Sequence, residues 1–417
     1  MLSLCEDDIL GPVARYEGIS SGYPGTMTKP GLVVIGSGPA GMSAAEEFRR
    51  HDDASPITIP TDDGDPPYAR PPLSKECLRG KTNNVELHPT SWYEERSIAA
   101  VTSVEVQRLD LDARRVLTPD ANYSYRALVL ACGAEPTPLP VPGGTKALQL
   151  RSLADADRLR GKVSGADSAV VIGAGFIGCE LAASLALQGV SVTLVAPEPA
   201  PQTARLGLEA GERLRALVER TGVRYVGEPQ VTRLEDGAVR LDDGVTIDTD
   251  LIVAATGVTP RSALADTAGL AIRDGRVAVC ADLATSVPGV YAAGDVASAV
   301  NATARRPLAI EHWQDAADQG SLAGAGAAGA PGRWAGLPGF WITIGESTVK
   351  YRAWEDGCQR SRLLGRGDGF TAWYEADGAV VGVLTCDADD DYELGEALIS
   401  RGKPAPVPLD KRRSRAG

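Results

Sequence analysis

The sequence predicts a mixed α/β protein made of two parallel-sheet domains and a small C-terminal α+β domain. The glycine pattern GxGxxG occurs at 36–41 and again at 173–178, each time between an apolar run and a helical run. Such a strand–turn–helix unit opens a Rossmann-like dinucleotide-binding domain. From residue 334 onward aromatic residues and apolar–polar alternation appear, which is typical of a small antiparallel sheet.

The composition fits a globular protein of two or three domains. Its 417 residues are 43% hydrophobic and 23% charged, as is usual for such proteins. The net charge of −13 disfavours nucleic acids and anionic membrane surfaces, so we expect neither as a partner. No apolar run reaches the roughly 18 to 20 residues that a membrane-spanning helix needs.

Cysteine and histidine usage indicates a reducing compartment and no metal site. The seven cysteines are scattered without a CxxC pair, which suits the cytoplasm better than a disulfide framework. Three histidines make a His-rich metal site improbable. Residues 1–28 carry Glu6, Asp7 and Asp8 where a signal peptide has basic residues, so we expect a disordered extension there.

The first glycine pattern predicts a phosphate-binding turn. Residues 32–35 are typical of a buried parallel strand and residues 42–50 of the helix that follows it. Gly36 permits the tight turn, Gly38 lets the backbone approach a pyrophosphate, and Gly41 lets the helix pack on the strand. The helix N-terminus supplies N–H groups and a partial positive charge to the phosphates.

A carboxylate follows the second predicted strand, at 57–59. In dinucleotide-binding domains an acidic residue about 20 positions beyond the glycines grips the ribose hydroxyls. Asp63 is the candidate, with Asp62 as the alternative; a solvated acidic turn is the other interpretation. Further on, an apolar strand within 127–134 ends in small residues, which lets backbone press against a cofactor. A proline-rich linker at 136–144 follows.

Two cations lie on a segment that prolines stiffen. The prolines within 66–75 fix an extended chain before a predicted helix at 74–79. Arg70 could meet a pyrophosphate, and Lys75 could reach a cofactor ring. Taken alone, both residues would be interpreted as solvated surface cations.

The second glycine pattern stands in the same context as the first. A strand at 168–172 precedes Gly173, a helix at 179–188 follows Gly178, and a strand at 191–195 closes the unit. This internal duplication predicts two dinucleotide-binding domains and therefore two bound dinucleotides.

One expected feature is missing after the second pattern. NAD-preferring sites usually end their second strand with a carboxylate, but this chain has Ala196 there and Glu198 two positions on. A site for NADPH would need a cation for the 2′-phosphate, and Arg205 is the nearest candidate. The choice between NADH and NADPH stays open, with a slight preference for NADH through Glu198.

The remaining segments complete the predicted domains. An apolar strand at 251–257 again ends in a small-residue turn. Asp295 ends another strand before a predicted helix, so it could accept hydrogen bonds from cofactor hydroxyls or cap that helix. A further helix begins within 310–320. The C-terminal part is typical of an antiparallel sheet with a terminal helix at 392–400.

Taken together, the chain resembles a known family. It is similar to the FAD-dependent, pyridine-nucleotide-linked ferredoxin reductases that serve Rieske oxygenases and haem monooxygenases, of which apoptosis-inducing factor is a structural relative. The resemblance covers roughly residues 31–400. Its most specific segments are Tyr-Ala-Arg-Pro-Pro-Leu-Ser-Lys at 68–75, Ala-Thr-Gly at 255–257, Tyr-Ala-Ala-Gly-Asp at 291–295 and Glu-His-Trp at 311–313.

The resemblance implies a glutathione-reductase-like fold and a domain order. The expected parts are a disordered extension (1–28), a discontinuous FAD-binding domain (29–146 and 259–328), an NAD(P)-binding domain (147–258), a C-terminal α+β domain (329–402) and a disordered basic tail (403–417).

The resemblance also implies residue roles. Lys75 would lie beside the flavin and Glu180 near the flavin and nicotinamide rings, which makes these two the expected catalytic residues. The residues expected to bind FAD are Gly36, Gly38, Pro39, Ala40, Gly41, Asp63, Arg70, Lys75, Val106, Ala131, Gly133, Asp295, Glu311, His312 and Trp313. The residues expected to bind the nicotinamide nucleotide are Gly173, Gly175, Phe176, Ile177, Gly178, Glu180, Glu198 and Gly257.

Three positions depart from the family pattern. Cys132 stands in Ala-Cys-Gly where the family usually has Ala-Thr-Gly, and Ala309 stands where many relatives carry Arg. Neither need touch the chemistry. Ala196 replaces the usual ribose carboxylate, and this departure puts the nicotinamide preference in doubt.

The implied activity is electron transfer from NADH or NADPH through FAD to a ferredoxin-type iron–sulfur protein that feeds an oxygenase. Ferredoxins are generally acidic, so a basic docking patch is expected. Arg305, Arg306, Lys350, Arg352 and Arg360 are its candidates, although a plain solvated surface explains them equally well. The sequence does not choose between a monomer and a homodimer.

Three alternative functions stay open. A disulfide reductase on the same fold would need a reactive cysteine against the flavin, and Cys77 is the nearest thiol, with a buried structural thiol as the other interpretation. A redox sensor would bind both nucleotides but pass electrons slowly. A third kind of flavoenzyme would act directly on a small molecule, a quinone or oxygen.

Overall fold

The computed structural model describes residues 30–354 and 357–406. The predicted extension at 1–28 and most of the predicted tail at 403–417 lie outside the described residues.

Helices alternate with strands around the two glycine patterns, as a Rossmann-like unit requires, and most other strands follow one another directly. The described residues form the α-helices α1 (Pro39–His51), α2 (Thr90–Glu95), α3 (Leu153–Val163), α4 (Phe176–Ala186), α5 (Thr203–Leu206), α6 (Leu208–Arg220), α7 (Ala263–Thr267), α8 (Trp313–Ala327) and α9 (Asp389–Ser400). The strands are β1 (Gly31–Ile35), β2 (Ile57–Pro60), β3 (Ile98–Val101), β4 (Arg108–Asp110), β5 (Arg115–Leu117), β6 (Asn122–Leu130), β7 (Ala134–Pro136), β8 (Ser168–Ile172), β9 (Ser191–Ala196), β10 (Arg224–Gly227), β11 (Val231–Glu235), β12 (Ala238–Leu241), β13 (Thr246–Asp248), β14 (Leu251–Ala254), β15 (Val258–Pro260), β16 (Ile272–Arg273), β17 (Arg276–Val279), β18 (Val290–Ala292), β19 (Ala297–Asn301), β20 (Arg306–Ala309), β21 (Gly339–Ile344), β22 (Ser347–Ala353), β23 (Arg360–Arg366), β24 (Gly369–Ala376) and β25 (Ala379–Cys386).

The first large sheet is built around β1. Its strand order is β3-β2-β1-β6-β5-β4, with β18 beside β6. The strands β3, β2, β1, β6 and β18 run parallel, and every residue of β1 is buried, as parallel strands covered on both faces require. The chain moves from β1 to β2 and β3 and then returns to β6 on the other side. Ligands bind at such switch points, outside the carboxyl ends of the strands.

The second sheet repeats this plan. Its order is β10-β9-β8-β14 with all strands parallel. Because β8 lies between β9 and β14 as β1 lies between β2 and β6, the switch point again follows the first strand of the unit. The duplication inferred from the two glycine patterns is therefore present in the sheet topology.

The two connections between the large sheets lie side by side. The strand β7 leaves the first sheet and the strand β15 returns to it, and the two pair antiparallel, with Glu135 opposite Thr259. The hydroxyls of Thr137 and Thr259 are 2.9 Å apart. We call this two-stranded connection the neck.

The C-terminal part forms a five-stranded antiparallel sheet in the order β21-β22-β25-β24-β23, followed by α9. This confirms the predicted sheet and terminal helix. The strand β21 is one edge of this sheet, so its outer side has no strand neighbour there. The domain boundaries themselves stay a prediction.

Two predicted helices are wrong. The predicted helix at 74–79 is instead the end of a 3₁₀ helix (Pro71–Ser74) followed by turns, because Lys75, with a φ of −125° and a ψ of −104°, lies outside the helical region. The segment after Asp295 is the strand β19, not a helix. β19 pairs with β17 and β20, and these distant partners leave no local signal.

The helix α8 packs closely on α1, the helix that follows the first glycine pattern. A Cβ atom on Gly320 would overlap the Ala40 carbonyl oxygen, and one on Gly324 would overlap the Ala44 carbonyl oxygen. Because backbone lies against backbone there, only glycine fits at these two positions of α8.

Replacing Gly324 should destabilise the protein. In Gly324→Ala the new methyl group would push α8 off α1, and overpacking of this kind costs about 1–3 kcal/mol. Gly161→Ala is the matched control, because it adds the same atom to helix α3 in open space and should stabilise by about 0.5–1 kcal/mol. Urea unfolding followed by circular dichroism measures both, and equal midpoints would contradict the prediction.

Candidate functional site

The first glycine turn forms an open cradle at the end of β1. Gly36 has a φ of 102°, and a Cβ there would overlap the Ala131 carbonyl oxygen. Gly38 precedes α1 in extended backbone without a side-chain cap, and a Cβ on it would meet no atom within 4 Å. The first N–H groups of α1 therefore face free space, which fits a pyrophosphate.

The second glycine turn has the same geometry. Gly173 also has a φ of 102°, and a Cβ there would overlap the Ala255 carbonyl oxygen. Gly175 precedes α4 with a φ of −69° and a ψ of −177°, against −72° and −174° for Gly38. A second dinucleotide phosphate therefore fits here equally well, next to Phe176 and Ile177, the first residues of α4.

The two carboxylates that follow β2, those of Asp62 and Asp63, contact different residues. The Asp63 carboxylate accepts a hydrogen bond of 2.7 Å from the Tyr68 hydroxyl and lies 3.9 Å from the Arg70 guanidinium. Asp62 instead pairs with Arg261 at 2.7 Å. Both carboxylates follow the carboxyl end of β2, so both stay candidates for a ribose, with Asp63 as the predicted one.

Asp295 lies beside the first cradle. The Gly294 position is so close to the start of α1 that a Cβ on it would be 3.0 Å from the Ala40 methyl group. The Asp295 carboxylate accepts a hydrogen bond of 2.9 Å from Arg151, a residue that the sequence analysis missed. Arg151 also approaches Gly133, since its guanidinium would be 3.7 Å from a Cβ there.

Arg70 and Arg151 place two guanidinium groups beside the first cradle, each near a carboxylate. Burial lowers the pKa of the Arg70 guanidinium, and the nearby Arg151 charge lowers it further. Two neighbouring guanidinium groups are stable together when anions lie beside them. The Asp63 and Asp295 carboxylates balance the two positive charges, but Asp63 stays 3.9 Å from the Arg70 guanidinium, beyond hydrogen-bond distance. The arrangement fits a bound pyrophosphate dianion, the group that FAD would bring.

Lys75 and Glu180 meet where the two large sheets approach each other. The Lys75 ammonium donates to Glu180 Oε1 at 2.8 Å, and both residues are buried. The Ser74 hydroxyl donates to Glu180 Oε2 at 2.7 Å, and the Thr343 N–H donates to Oε1 at 2.7 Å. The two residues expected to be catalytic are therefore paired, and the carboxylate is held by donors from two distant parts of the chain.

The Glu-His-Trp segment at 311–313 leads into α8. The His312 ring accepts a hydrogen bond of 3.3 Å from the Trp341 N–H through Nε2. Burial, with a smaller contribution from the positive charge of Lys75, lowers the pKa of His312 to about 4, so the ring is neutral at physiological pH. The Glu311 carboxylate is exposed and pairs with Arg276 at 2.5 Å. Trp313 is the first residue of α8.

The remaining predicted residues lie around the two cradles. Ala131 and Gly133 form the turn after β6, opposite Gly36. Val106 is half-buried against the core of the first sheet. Gly257 has a φ of 93° and no atom within 4 Å of a Cβ position, so the turn after β14 is open as well.

The region beyond β9 bears on the nicotinamide preference. Ala196 is buried, and the Glu198 carboxylate accepts a hydrogen bond of 3.0 Å from the Ala204 N–H. The Arg205 guanidinium lies 5.5 Å from the Phe176 ring centre and 5.2 Å from that of Phe340, a cation–π arrangement.

The thiols do not favour disulfide chemistry. Burial raises the pKa of Cys77, and it raises the pKa of Cys132 and Cys179 to about 12. A thiol of this kind is protonated at neutral pH and is a poor nucleophile. The cysteines assigned within the described part of the chain, the exposed Cys280 and Cys358 among them, are free.

The candidate basic patch is largely neutralised. Lys350 pairs with Asp389 at 2.7 Å, Arg352 with Glu396 at 3.0 Å and Arg360 with Glu375 at 2.7 Å. These three cations therefore do not form a positive surface. Arg306 donates to the Trp354 carbonyl oxygen, and Arg305 is exposed.

The described residues contain neither a membrane-spanning helix nor a metal-binding cluster. Residues 30–354 and 357–406 contain no helix long and apolar enough to cross a membrane. In the same residues, no group of three or more His, Cys, Asp or Glu side chains could hold a metal ion.

Two dinucleotide cradles that share one buried lysine–glutamate pair define a flavin- and nicotinamide-dependent oxidoreductase. The chain belongs to the pyridine nucleotide-disulphide oxidoreductase family, whose model matches residues 30–320. It is 30% identical to a probable ferredoxin reductase, CtmF, of Castellaniella defragrans, over 89% of this chain and 93% of that protein.

Solved structures show the same relationship. The ferredoxin reductase for the CYP199A2 system from Rhodopseudomonas palustris superimposes with a TM-score of 0.85 at 28% identity, over 90% of this chain and 95% of that one. The covalent putidaredoxin reductase–putidaredoxin complex gives 0.85 at 28% identity, over 90% and 94%. The resemblance inferred from the motifs is therefore confirmed.

The two cradles should be separable by substitution. In Gly38→Leu the new Cβ would meet no protein atom within 4 Å, so we expect a folded protein in which the side chain occupies the first cradle and the FAD affinity falls at least a hundredfold, about 2.7 kcal/mol. Gly175→Leu should keep FAD and lose the nicotinamide nucleotide to a similar extent. Flavin absorbance after gel filtration and calorimetric titration measure the two affinities. A Gly38→Leu protein that retains FAD would refute the first assignment.

Proposed function

We propose that this protein transfers electrons from NADH through FAD to a ferredoxin-type iron–sulfur protein that serves an oxygenase. The observation that carries the proposal is the Lys75–Glu180 pair, because it joins the unit with the first cradle to the unit with the second. The relatives support the acceptor, since they include ferredoxin reductases and a complex with putidaredoxin.

The chain's own residues bind, orient and shield the reactants. The FAD that these residues would hold would supply the change from two-electron to one-electron chemistry, so that one NADH would reduce two ferredoxins and release one proton. Lys75 supplies a fixed positive charge where negative charge develops, and a buried charge of this kind acts strongly because water is excluded. Glu180 keeps that ammonium in place with a hydrogen bond of 2.8 Å.

Glu198 supports NADH as the donor. Its Oε1 is occupied by the Ala204 N–H, which fixes the side chain just beyond β9, where a ribose carboxylate is expected. Oε2 then remains to accept the 2′-hydroxyl, and the carboxylate would repel a 2′-phosphate. Arg205 is turned to the aromatic rings of Phe176 and Phe340 and contributes less to a phosphate site there.

Three further properties belong to the proposal, namely the compartment, the mode of ferredoxin docking and the oligomeric state. Free cysteines within the described residues support a reducing compartment, so we place the protein in the cytoplasm. Because most candidate docking cations are paired, the ferredoxin would dock mainly by shape and apolar contact, with a weak salt dependence. A monomer and a homodimer are equally compatible with this activity.

Anaerobic reduction tests the proposed function. NADH should bleach the bound flavin within the mixing time of a stopped-flow experiment, and the reduced protein should then reduce ferredoxin faster than quinone, oxygen or a disulfide. Slow transfer to every ferredoxin tried would favour a redox sensor. Preferential reduction of a quinone or of oxygen would favour the direct flavoenzyme, and a protein that takes up no FAD would overturn the proposal.

Glu198 should set the nicotinamide preference. In Glu198→Gln we expect kcat/KM for NADH to fall about tenfold, because the neutral amide oxygen accepts a hydrogen bond that is weaker than that of the carboxylate by about 1.4 kcal/mol, and kcat/KM for NADPH to stay or rise. Glu209→Gln, an acidic residue in the first turn of α6, is the matched control and should change neither value. An unchanged NADH-to-NADPH ratio in Glu198→Gln would remove Glu198 from the site.

A further inference from the structure

The outer edge of β21 contacts both large sheet units through its backbone. The N–H groups of Gly339, Trp341 and Thr343 alternate along this strand and point away from its neighbour β22. Each donates to a side chain outside the C-terminal sheet, namely to Asp315 at 3.1 Å, to His312 at 3.3 Å and to Glu180 at 2.7 Å. An edge strand leaves such groups unpaired unless something covers them.

Two of the three acceptors belong to the candidate site. Glu180 pairs with Lys75, and His312 lies close enough to Lys75 for its charge to act on the ring. The third acceptor, Asp315, is in the first turn of α8 and is buried. The strand therefore spans from α8, in the unit of the first cradle, to α4, in the unit of the second.

Two of these N–H groups fix the orientation or the tautomer of the side chain that accepts from them. Thr343 and Lys75 share Oε1 of Glu180 while Ser74 takes Oε2, so the carboxylate plane cannot rotate without losing a hydrogen bond. Trp341 requires a lone pair on Nε2 of His312, so the neutral ring carries its proton on Nδ1. Side-chain packing also holds β21 against α4, since the ring centres of Phe340 on β21 and Phe176 on α4 are 3.8 Å apart.

We propose that the edge of β21 is a positioning element for the reaction: the Thr343 amide holds Glu180 against Lys75, and the Trp341 amide holds His312 as its Nδ1–H tautomer. The catalytic contact stays with Lys75 and Glu180, and the amides act through them. The C-terminal sheet thereby completes the site without contributing a reacting side chain.

Amide hydrogen exchange of the FAD-loaded protein tests the contacts. Removing an acceptor should deprotect its own donor, so we expect at least tenfold faster exchange at Thr343 in Glu180→Ala and at Trp341 in His312→Ala. Glu180→Gln keeps an oxygen acceptor and should retain the Thr343 protection. Asp318→Ala, an exposed neighbour on α8, is the matched control and should change neither amide. Wild-type exchange at Thr343 in Glu180→Ala would overturn the proposal.

A proline substitution tests the positioning role. Thr343→Pro removes one outward-facing N–H group, which an edge strand tolerates. We expect the rate of flavin reduction at saturating NADH to fall five- to tenfold with an unchanged NADH dissociation constant and a shifted flavin absorption spectrum. Arg360→Pro, at the start of the opposite edge strand β23, controls for proline in the same sheet. A wild-type rate and spectrum in a folded Thr343→Pro protein would overturn the role.

The exchange measurement, as the first part of the test, is independent of the proline substitution, which is the second part. The second part rests on the proposed function only as far as flavin reduction by NADH, and it does not involve the acceptor. The exchange measurement needs no turnover, so it remains decisive if Thr343→Pro fails to fold. Failure to reduce ferredoxin would count against the proposed function and leave the positioning role to be decided by exchange.

Discussion

The buried carboxylate of Glu180 constrains most of the site. A carboxylate out of water is costly unless donors surround it, and here the ammonium of Lys75, the hydroxyl of Ser74 and the amide of Thr343 do so. These donors come from two distant segments and the carboxylate from a third, so the charge is stable only when all three parts of the protein are docked. The Ser184 hydroxyl, one turn further along α4, adds a hydrogen bond of 2.7 Å to the Ser74 carbonyl oxygen.

The sequence could predict the local features of this site but not the long-range ones. Gly36, Gly38 and Gly41 were identifiable because a tight turn, an open cradle and a helix contact are decided within a few residues. The expected places of Lys75 and Glu180 near the flavin came from the resemblance, and only the fold shows that the two side chains are paired. Arg151 was missed because it lies in a linker with no motif around it, and only folding brings it to Asp295. The amide of Thr343 could not be predicted at all, since any residue except proline supplies one.

The family description and the thiols of this chain point in different directions. Disulfide chemistry needs a thiolate, whereas burial keeps Cys77 and Cys132 protonated. The same fold can serve either chemistry because the two cradles only hold the nucleotides, and the residues against the reacting ring decide where the electrons go. In this chain the residues that we propose for that place are a lysine, a carboxylate and a neutral histidine.

The neck formed by β7 and β15 has a consequence for modularity. Because both crossings run side by side and are hydrogen-bonded to each other, the second nucleotide unit begins and ends at almost the same point in space. An inserted module with adjacent ends can be gained, lost or exchanged without disturbing the sheet that hosts it. The two similar halves of this protein therefore relate as host and insert, with one unit nested inside a loop of the other.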